Sequence, residues 1–139
     1  MTGSPDWRAL FAGEPVARLA TVRPDGAPHL VPVTFAVLGD VVATAVDHKP
    51  KRTRDLQRLA NVAAEPRVSL LADHYDDDWE RLWWVRADGA AAVVDVDVDV
   101  SAAAPAIEAL VARYPAYRDR PPEGPVILVT VERWTGWAA

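Results

Sequence analysis

No cysteine occurs among the 139 residues of this chain. Disulfides, thiol nucleophiles and thiolate-bound metals are therefore excluded, which fits a reducing compartment. No run approaches the roughly 18 apolar residues of a membrane span, and Met1-Thr2-Gly3-Ser4-Pro5-Asp6 lacks a basic region followed by an apolar one. The chain is expected to be cytoplasmic, with no membrane span. Also missing are a glycine-rich dinucleotide or phosphate loop and a Gly-x-Ser-x-Gly elbow, so nucleotide hydrolase, Rossmann and serine hydrolase readings have no support. The three histidines, His29, His48 and His74, are too scattered for a catalytic array. Positive charge is scarce too, with 15 Lys and Arg against 20 Asp and Glu, a net charge of -5. Nucleic-acid binding, which rests on many phosphate contacts, is disfavoured, and any anion bound is expected to be small.

Half of the residues are hydrophobic and a quarter charged, as in a folded soluble domain, and the length suits one domain spanning 1–139. Ser4 as cap and Pro5 in the first turn predict a short helix carrying Leu10 and Phe11 and stopped by Gly13. A strand over 16–22 ends at the turn Pro24-Asp25-Gly26. A second strand over 27–38 puts His29, Val31, Val33 and Phe35 on one face and Leu30, Pro32 and Thr34 on the other. Pro32 cannot donate to a ladder and so marks an edge or a bulge. Gly39-Asp40 makes a hairpin to a third strand over 41–46, and further strands are predicted over 67–72, 81–94 and 126–132. Leu56, Leu59, Val62 and Ala63 recur at helical spacing after Pro50, and a last helix over 101–114 precedes a polar, proline-rich connection over 117–125. Six strands joined mostly by hairpins, with helices packed on them, predict a mainly β fold, an antiparallel β-barrel with α-helices.

The charge is unevenly spread. Residues 47–58 hold five basic residues against two acidic ones, which leaves 10 of the 15 basic and 18 of the 20 acidic residues for the rest of the chain. Lys49, Lys51, Arg52 and Arg54 crowd the start of the helix that follows Pro50. A helix N-terminus already carries about half a positive charge, so cations there are unfavourable until an anion joins them. A small phosphorylated ligand and a solvated basic helix face both fit. The opposite pole is His74-Tyr75-Asp76-Asp77-Asp78-Trp79-Glu80, whose spacing matches neither a calcium loop nor a zinc motif and which is expected to be an acidic surface loop without metal. Trp83 and Trp84 are adjacent on a strand and must point to opposite faces, one toward core and one toward a ligand or partner. Trp134 and Trp137 close the chain, either as core or with one of them beside a bound ring at a dimer interface.

The order and spacing of several pieces resemble a known family. They are Ala17-Arg18-Leu19-Ala20-Thr21-Val22, then Asp25-Gly26-x-Pro28, Pro32-Val33-Thr34-Phe35, Asp47-His48-Lys49-Pro50-Lys51-Arg52, Pro66-Arg67-Val68, Asp73-His74-Tyr75 with Trp83-Trp84-Val85-Arg86, and Thr135-Gly136-Trp137. The chain resembles the split β-barrel flavin and deazaflavin oxidoreductases related to pyridoxamine 5′-phosphate oxidase, in the branch that uses coenzyme F420.

The resemblance implies a split antiparallel β-barrel of the FMN-binding type, and a homodimer with two cofactor sites at the subunit interface. Pro32, Val33 and Thr34 would run beside the tricyclic ring, and Thr44, Ala45 and Val46 would support its polar edge. Lys49, Lys51 and Arg52 would bind the phosphate, with His48 in the same segment, and Arg54 is placed for the phosphate or for the oligoglutamate tail of a deazaflavin. Trp84 and Trp137 match positions that approach the ring from the partner subunit. The implied reaction is hydride transfer between reduced coenzyme F420 and a small electron-poor acceptor, an enone or quinone. The cofactor carries that chemistry, so no catalytic residue is assigned, and a proton could come from water, His48 or Tyr75. FMN as cofactor, and a non-enzymatic carrier of F420 or flavin, are the alternatives. The loop over Asp76 to Glu80 is expected at the rim of the substrate entrance. Combining Lys49→Ala with Arg52→Ala should weaken cofactor binding by about 2 kcal/mol or more, since charge-assisted hydrogen bonds contribute roughly 1.5–3 kcal/mol each; calorimetric titration showing unchanged affinity would place the phosphate elsewhere.

Overall fold

The computed structural model describes residues 5–46 and 53–139, with the side chains of 53–56 outside the description. Helix α1 (Trp7–Ala12) is capped by Asp6, whose carboxylate accepts the N–H of Ala9 at 3.1 Å. Asp6 thus performs the role expected of Ser4, and Pro5 precedes the helix. Strands β1 (Ala17–Val22) and β2 (Pro28–Val33) form a hairpin around Gly26, which takes φ +88° and donates to the carbonyl of Arg23 at 2.8 Å. The long second strand predicted from sequence is two strands. The ladder stops at Val33 and resumes as β3 (Ala36–Leu38), leaving Thr34 and Phe35 between them. Gly39 then turns at φ +62° with no positive φ at Asp40, a type II′ hairpin into β4 (Val41–Ala45).

Helix α2 (Thr53–Ala64) leads to β5 (Arg67–His74), a single 3₁₀ turn at Trp79–Arg81, and the long strand β6 (Trp83–Val94). Helix α3 (Val100–Arg113) is capped by Asp99, and Pro115 opens a further short helix, α4 (Pro115–Asp119), that takes in the start of the connection predicted over 117–125. The last strand, β7 (Val126–Ala138), runs six residues beyond its expected end. The seven strands are ordered β2-β1-β5-β6-β7-β4-β3, and every described pairing is antiparallel. β2 is an edge strand, as Pro32 requires.

The sheet curls around a core of Phe11, Leu19, Val33, Phe35, Val42, Leu70, Val85 and Val129, all buried. Phe11 from α1 packs on Phe35 at 4.8 Å and edge-on to Trp134 at 5.3 Å, so one of the two C-terminal tryptophans closes the core. α2 adds Val62 and a buried Asn61 that accepts from Gln57 at 2.7 Å and donates to the Thr21 hydroxyl at 3.0 Å, fixing the helix to β1. A second core lies where α3 covers β3 and β4. Ala103 and Ala106 face Ala36, Ala43 and Ala45, and such small side chains let helix and sheet approach closely.

The β6–β7 ladder has one irregularity. Asp88 opposes Arg133 but Gly89 opposes Val131, so Glu132 is an extra residue, a β-bulge. Opposite it Gly89 has no room for a side chain, since a Cβ there would lie 2.1 Å from the carbonyl oxygen of Thr130. Gly89→Ala should therefore force the two longest strands apart and lower stability by more than about 2 kcal/mol; a urea unfolding midpoint equal to wild type would contradict this packing.

Candidate functional site

The bulge decides which residues of β7 face out. Before it, Ile127, Val129 and Val131 are buried; after it, Trp134 and Gly136 turn inward and Arg133, Thr135 and Trp137 turn outward. Strand registers then lay the outer face out in rows. Pro32, Arg18, Leu71, Arg86 and Thr135 stand side by side on successive strands. Leu30, Ala20, Ser69, Asp88 and Arg133 form the row on one side, and Asp73, Trp84 and Trp137 the row on the other.

This face forms a groove of about 740 Å³. Its walls are apolar, with Leu30, Leu71, Tyr75, Leu82, Trp83, Trp84 and Trp137. Leu30 is 65 % exposed, Tyr75 70 % and Trp137 47 %, a concentration of solvent-facing apolar surface that marks an interaction site. The charges among them are paired. Arg18 reaches Asp73 at 3.2 Å, and Arg86 bonds Asp88 at 3.1 Å while lying over the Trp84 ring at 5.7 Å. Asp88 also accepts from the Ser69 hydroxyl at 2.5 Å. Burial opposes ionisation of Asp88, yet Ser69 and Arg86, with Arg133 nearby, hold its carboxyl below the usual carboxylate range. Each guanidinium faces a carboxylate, so the groove combines apolar walls with little net charge from these pairs. The Thr135 hydroxyl is shielded from solvent and has no hydrogen-bond partner among the described residues.

At the rim, His74 stacks on Trp83 at 6.3 Å, and Asp76 lies 3.8 Å from His74 and 3.9 Å from Arg81. Asp76 also accepts the N–H of Asp78 at 2.8 Å, and Asp78 that of Glu80 at 3.1 Å, so the acidic residues order their own loop. Among the described residues no helix is long and apolar enough to cross a membrane.

Of the residues named from sequence, Pro32 is exposed on the edge strand and Thr34 half-buried at the break that follows it. Val33, Thr44, Ala45 and Val46 are buried, so they offer a ligand backbone atoms and shape rather than side chains. The structure does bring the two segments together, because the Thr44 hydroxyl donates to the carbonyl of Thr34 at 2.7 Å. Trp84 and Trp137 are paired neighbours on the outer face, three and four strand spacings from Pro32, about 14 and about 19 Å along the sheet. His48, Lys49, Lys51 and Arg52 lie outside the described residues, and Arg54 is described only as backbone of α2. Arg58 is half-buried, and the pKa of His29 is lowered by burial and by the charges of Arg23 and Arg58.

Sequence reasoning singled out neither the row of Arg18, Leu71 and Arg86 nor the side chains gathered on Thr34 and Phe35. Tyr117 shares a hydrogen bond with the Thr34 hydroxyl at 2.9 Å. The Tyr114 hydroxyl accepts the N–H of Phe35 at 3.1 Å and lies within donating distance of the carbonyls of Pro15 and Phe35 at 2.9 and 3.0 Å. Arg113 donates to the carbonyls of Phe35, at 2.6 Å, and Glu14, and lies over the Phe35 ring at 4.6 Å. No local signal ties Tyr117 to a residue 83 positions earlier.

The strand order and the break after β2 define a split antiparallel barrel, the class in which the compared structures fall. A conserved hypothetical protein from Mycobacterium tuberculosis is 23 % identical, covering 99 % of this chain and 86 % of its own, with a TM-score of 0.76. A FAD-binding protein from Mesorhizobium loti is 18 % identical over 97 % and 94 %, with a TM-score of 0.71, and an F420 reductase 22 % identical over 96 % and 98 %, with a TM-score of 0.68. No curated protein matches the sequence. The family described as pyridoxamine 5′-phosphate oxidase matches residues 4–138, and the chain belongs to that family.

The depressed pKa of Asp88 has a testable consequence. A carboxylate with a folded pKa below its unfolded value stabilises the fold above the unfolded pKa, and that contribution is lost as pH falls through the folded pKa. Acid unfolding of Asp88→Asn should therefore begin to converge on that of wild type as pH falls below the ordinary Asp value of about 4 and continue to do so at lower pH; a constant gap between the two curves would assign Asp88 no titrating role.

Proposed function

We propose that this protein is an F420-dependent oxidoreductase that works as a homodimer, with each cofactor held between the subunits. Membership of the pyridoxamine 5′-phosphate oxidase family supports redox cofactor binding in general, and the similarity to an F420 reductase favours the deazaflavin. The observation that carries the dimer is the separation of Pro32 from Trp84 and Trp137 on one sheet face. A single tricyclic ring lying beside Pro32 does not reach those tryptophans in the same subunit. Facing the groove of one subunit with that of another brings the Trp84–Trp137 pair of one toward the Pro32–Thr34 strand of its partner.

The residues on this face fit such a role. The paired charges of Arg18, Asp73, Arg86 and Asp88 lower the net charge of a largely apolar surface that would exclude water from the ring. Lys49, Lys51 and Arg52 are the proposed phosphate ligands, with His48 beside them and Arg54 toward the tail. Bound F420 supplies hydride transfer to an electron-poor acceptor such as an enone or quinone. The protein binds and orients the ring and keeps the pocket dry.

The similarity to a FAD-binding protein supports the second reading, a flavin such as FMN in the same place. The test adds F420 or FMN to the purified protein and follows quenching of its six tryptophans, with oligomeric state read by sedimentation. The proposal expects a dimer, tighter binding of F420, and turnover of reduced F420 with at least one enone or quinone. A preference for FMN of about tenfold or more, equivalent to about 1.4 kcal/mol, would overturn the choice of cofactor. F420 binding without oxidation by any acceptor in such a panel would instead make the protein a carrier.

A further inference from the structure

Residues 34 and 35, between β2 and β3, have most of their polar groups held by side chains from distant elements. The carbonyl of Thr34 accepts from Thr44, its hydroxyl bonds Tyr117, and both backbone groups of Phe35 are taken by Tyr114 and Arg113. Val33 and Phe35 are buried on either side, so Thr34 is the one side chain of the break that reaches the surface. A threonine χ1 has three staggered wells and its hydroxyl offers one donor and two acceptor sites. A single hydrogen bond with a buried tyrosine selects one well and leaves the hydroxyl with capacity for further partners.

Tyr117 is well suited to hold that hydroxyl in place. It is buried in the second core among Ala36, Ala45 and Leu110, its ring packs edge-on to Tyr114 at 5.7 Å, and Pro115 starts its helix. Its hydroxyl position is thus set by packing rather than by solvent. We infer that Tyr117 is a positioning residue for the cofactor. By holding the Thr34 hydroxyl it fixes where that group presents its remaining hydrogen-bonding capacity to the polar edge of the bound ring, and so couples α3 and α4 to the cofactor site. The inference rests on the reading above, that the ring lies beside Pro32–Thr34.

Tyr117→Phe keeps the ring that packs and removes the hydroxyl that positions. With F420, or FMN if that is the cofactor bound, Tyr117→Phe should raise Kd about three- to tenfold, the effect of one hydrogen bond of ordinary strength. The absorbance maximum of the bound cofactor should also move toward its value in free solution, a shift that a purely structural role for the tyrosine would not give. Thr34→Val should reproduce both changes, Thr34→Ser should restore both toward wild type, and the double variant Tyr117→Phe with Thr34→Val should be no worse than either single one. Wild-type Kd and spectrum in both Tyr117→Phe and Thr34→Val would overturn the inference while leaving the proposed function intact. Failure of the unsubstituted protein to bind either cofactor would overturn the two together.

Discussion

A single extra residue governs the rest of this structure. Glu132 has no partner on β6, and inserting it into the longest ladder of the sheet exchanges the two faces of everything that follows. Without it Arg133, Thr135 and Trp137 would point at Phe11, and Trp134 would face solvent. With it the C-terminal end of β7 seals the core with Trp134 and lends Trp137 to the outer face. Gly89 makes room for the bulge because its partner backbone passes where a Cβ would be. The same residue also explains why the strand outlasts its expected end. A period-2 pattern that changes phase at Glu132 looks like a pattern that stops.

The two faces created in this way divide the work. The inner face and α1 bury the large side chains, while the outer face gathers Trp84, Trp137, Tyr75, Leu30 and Leu71 around the Arg18–Asp73 and Arg86–Asp88 ion pairs. An apolar surface of this kind is unstable as a permanent boundary with water. In the proposed dimer it is covered by its counterpart, and the cofactor ring occupies the space between. The break at Thr34–Phe35 belongs to the same design. Where the chain leaves one part of the barrel for the other it gives up ladder hydrogen bonds; Thr44, Arg113 and Tyr114 replace them with bonds to the backbone, and Tyr117 holds the Thr34 hydroxyl. Such bonds fix a backbone in place where no ladder holds it.

Much of the fold was legible in the chain. Pro24-Asp25-Gly26 and Gly39-Asp40 made their turns because each supplies a glycine at positive φ, and Pro32 marked an edge strand because it has no N–H to give. Trp83 and Trp84 split as adjacent strand residues must, Trp83 packing at the margin of the core and Trp84 outside. The break within 27–38 and the helix at Pro115 were not legible. Both depend on contacts between residues 34–35 and 113–117, and alternation within either segment carries no trace of the other.

The sequence by itself determined the turns, the edge and the concentration of positive charge at residues 47–58, because each follows from local stereochemistry or from counting charges, and it pointed to the class of protein through its resemblance to a known family. Tertiary structure decided which side chains share a surface. Arg18, Leu71 and Arg86 become neighbours through register, Trp84 meets Trp137 through a bulge, and Tyr117 reaches Thr34 through helix packing. Register and helix packing are settled by the burial of many residues at once, and that cooperative choice has no counterpart in any single stretch of the chain.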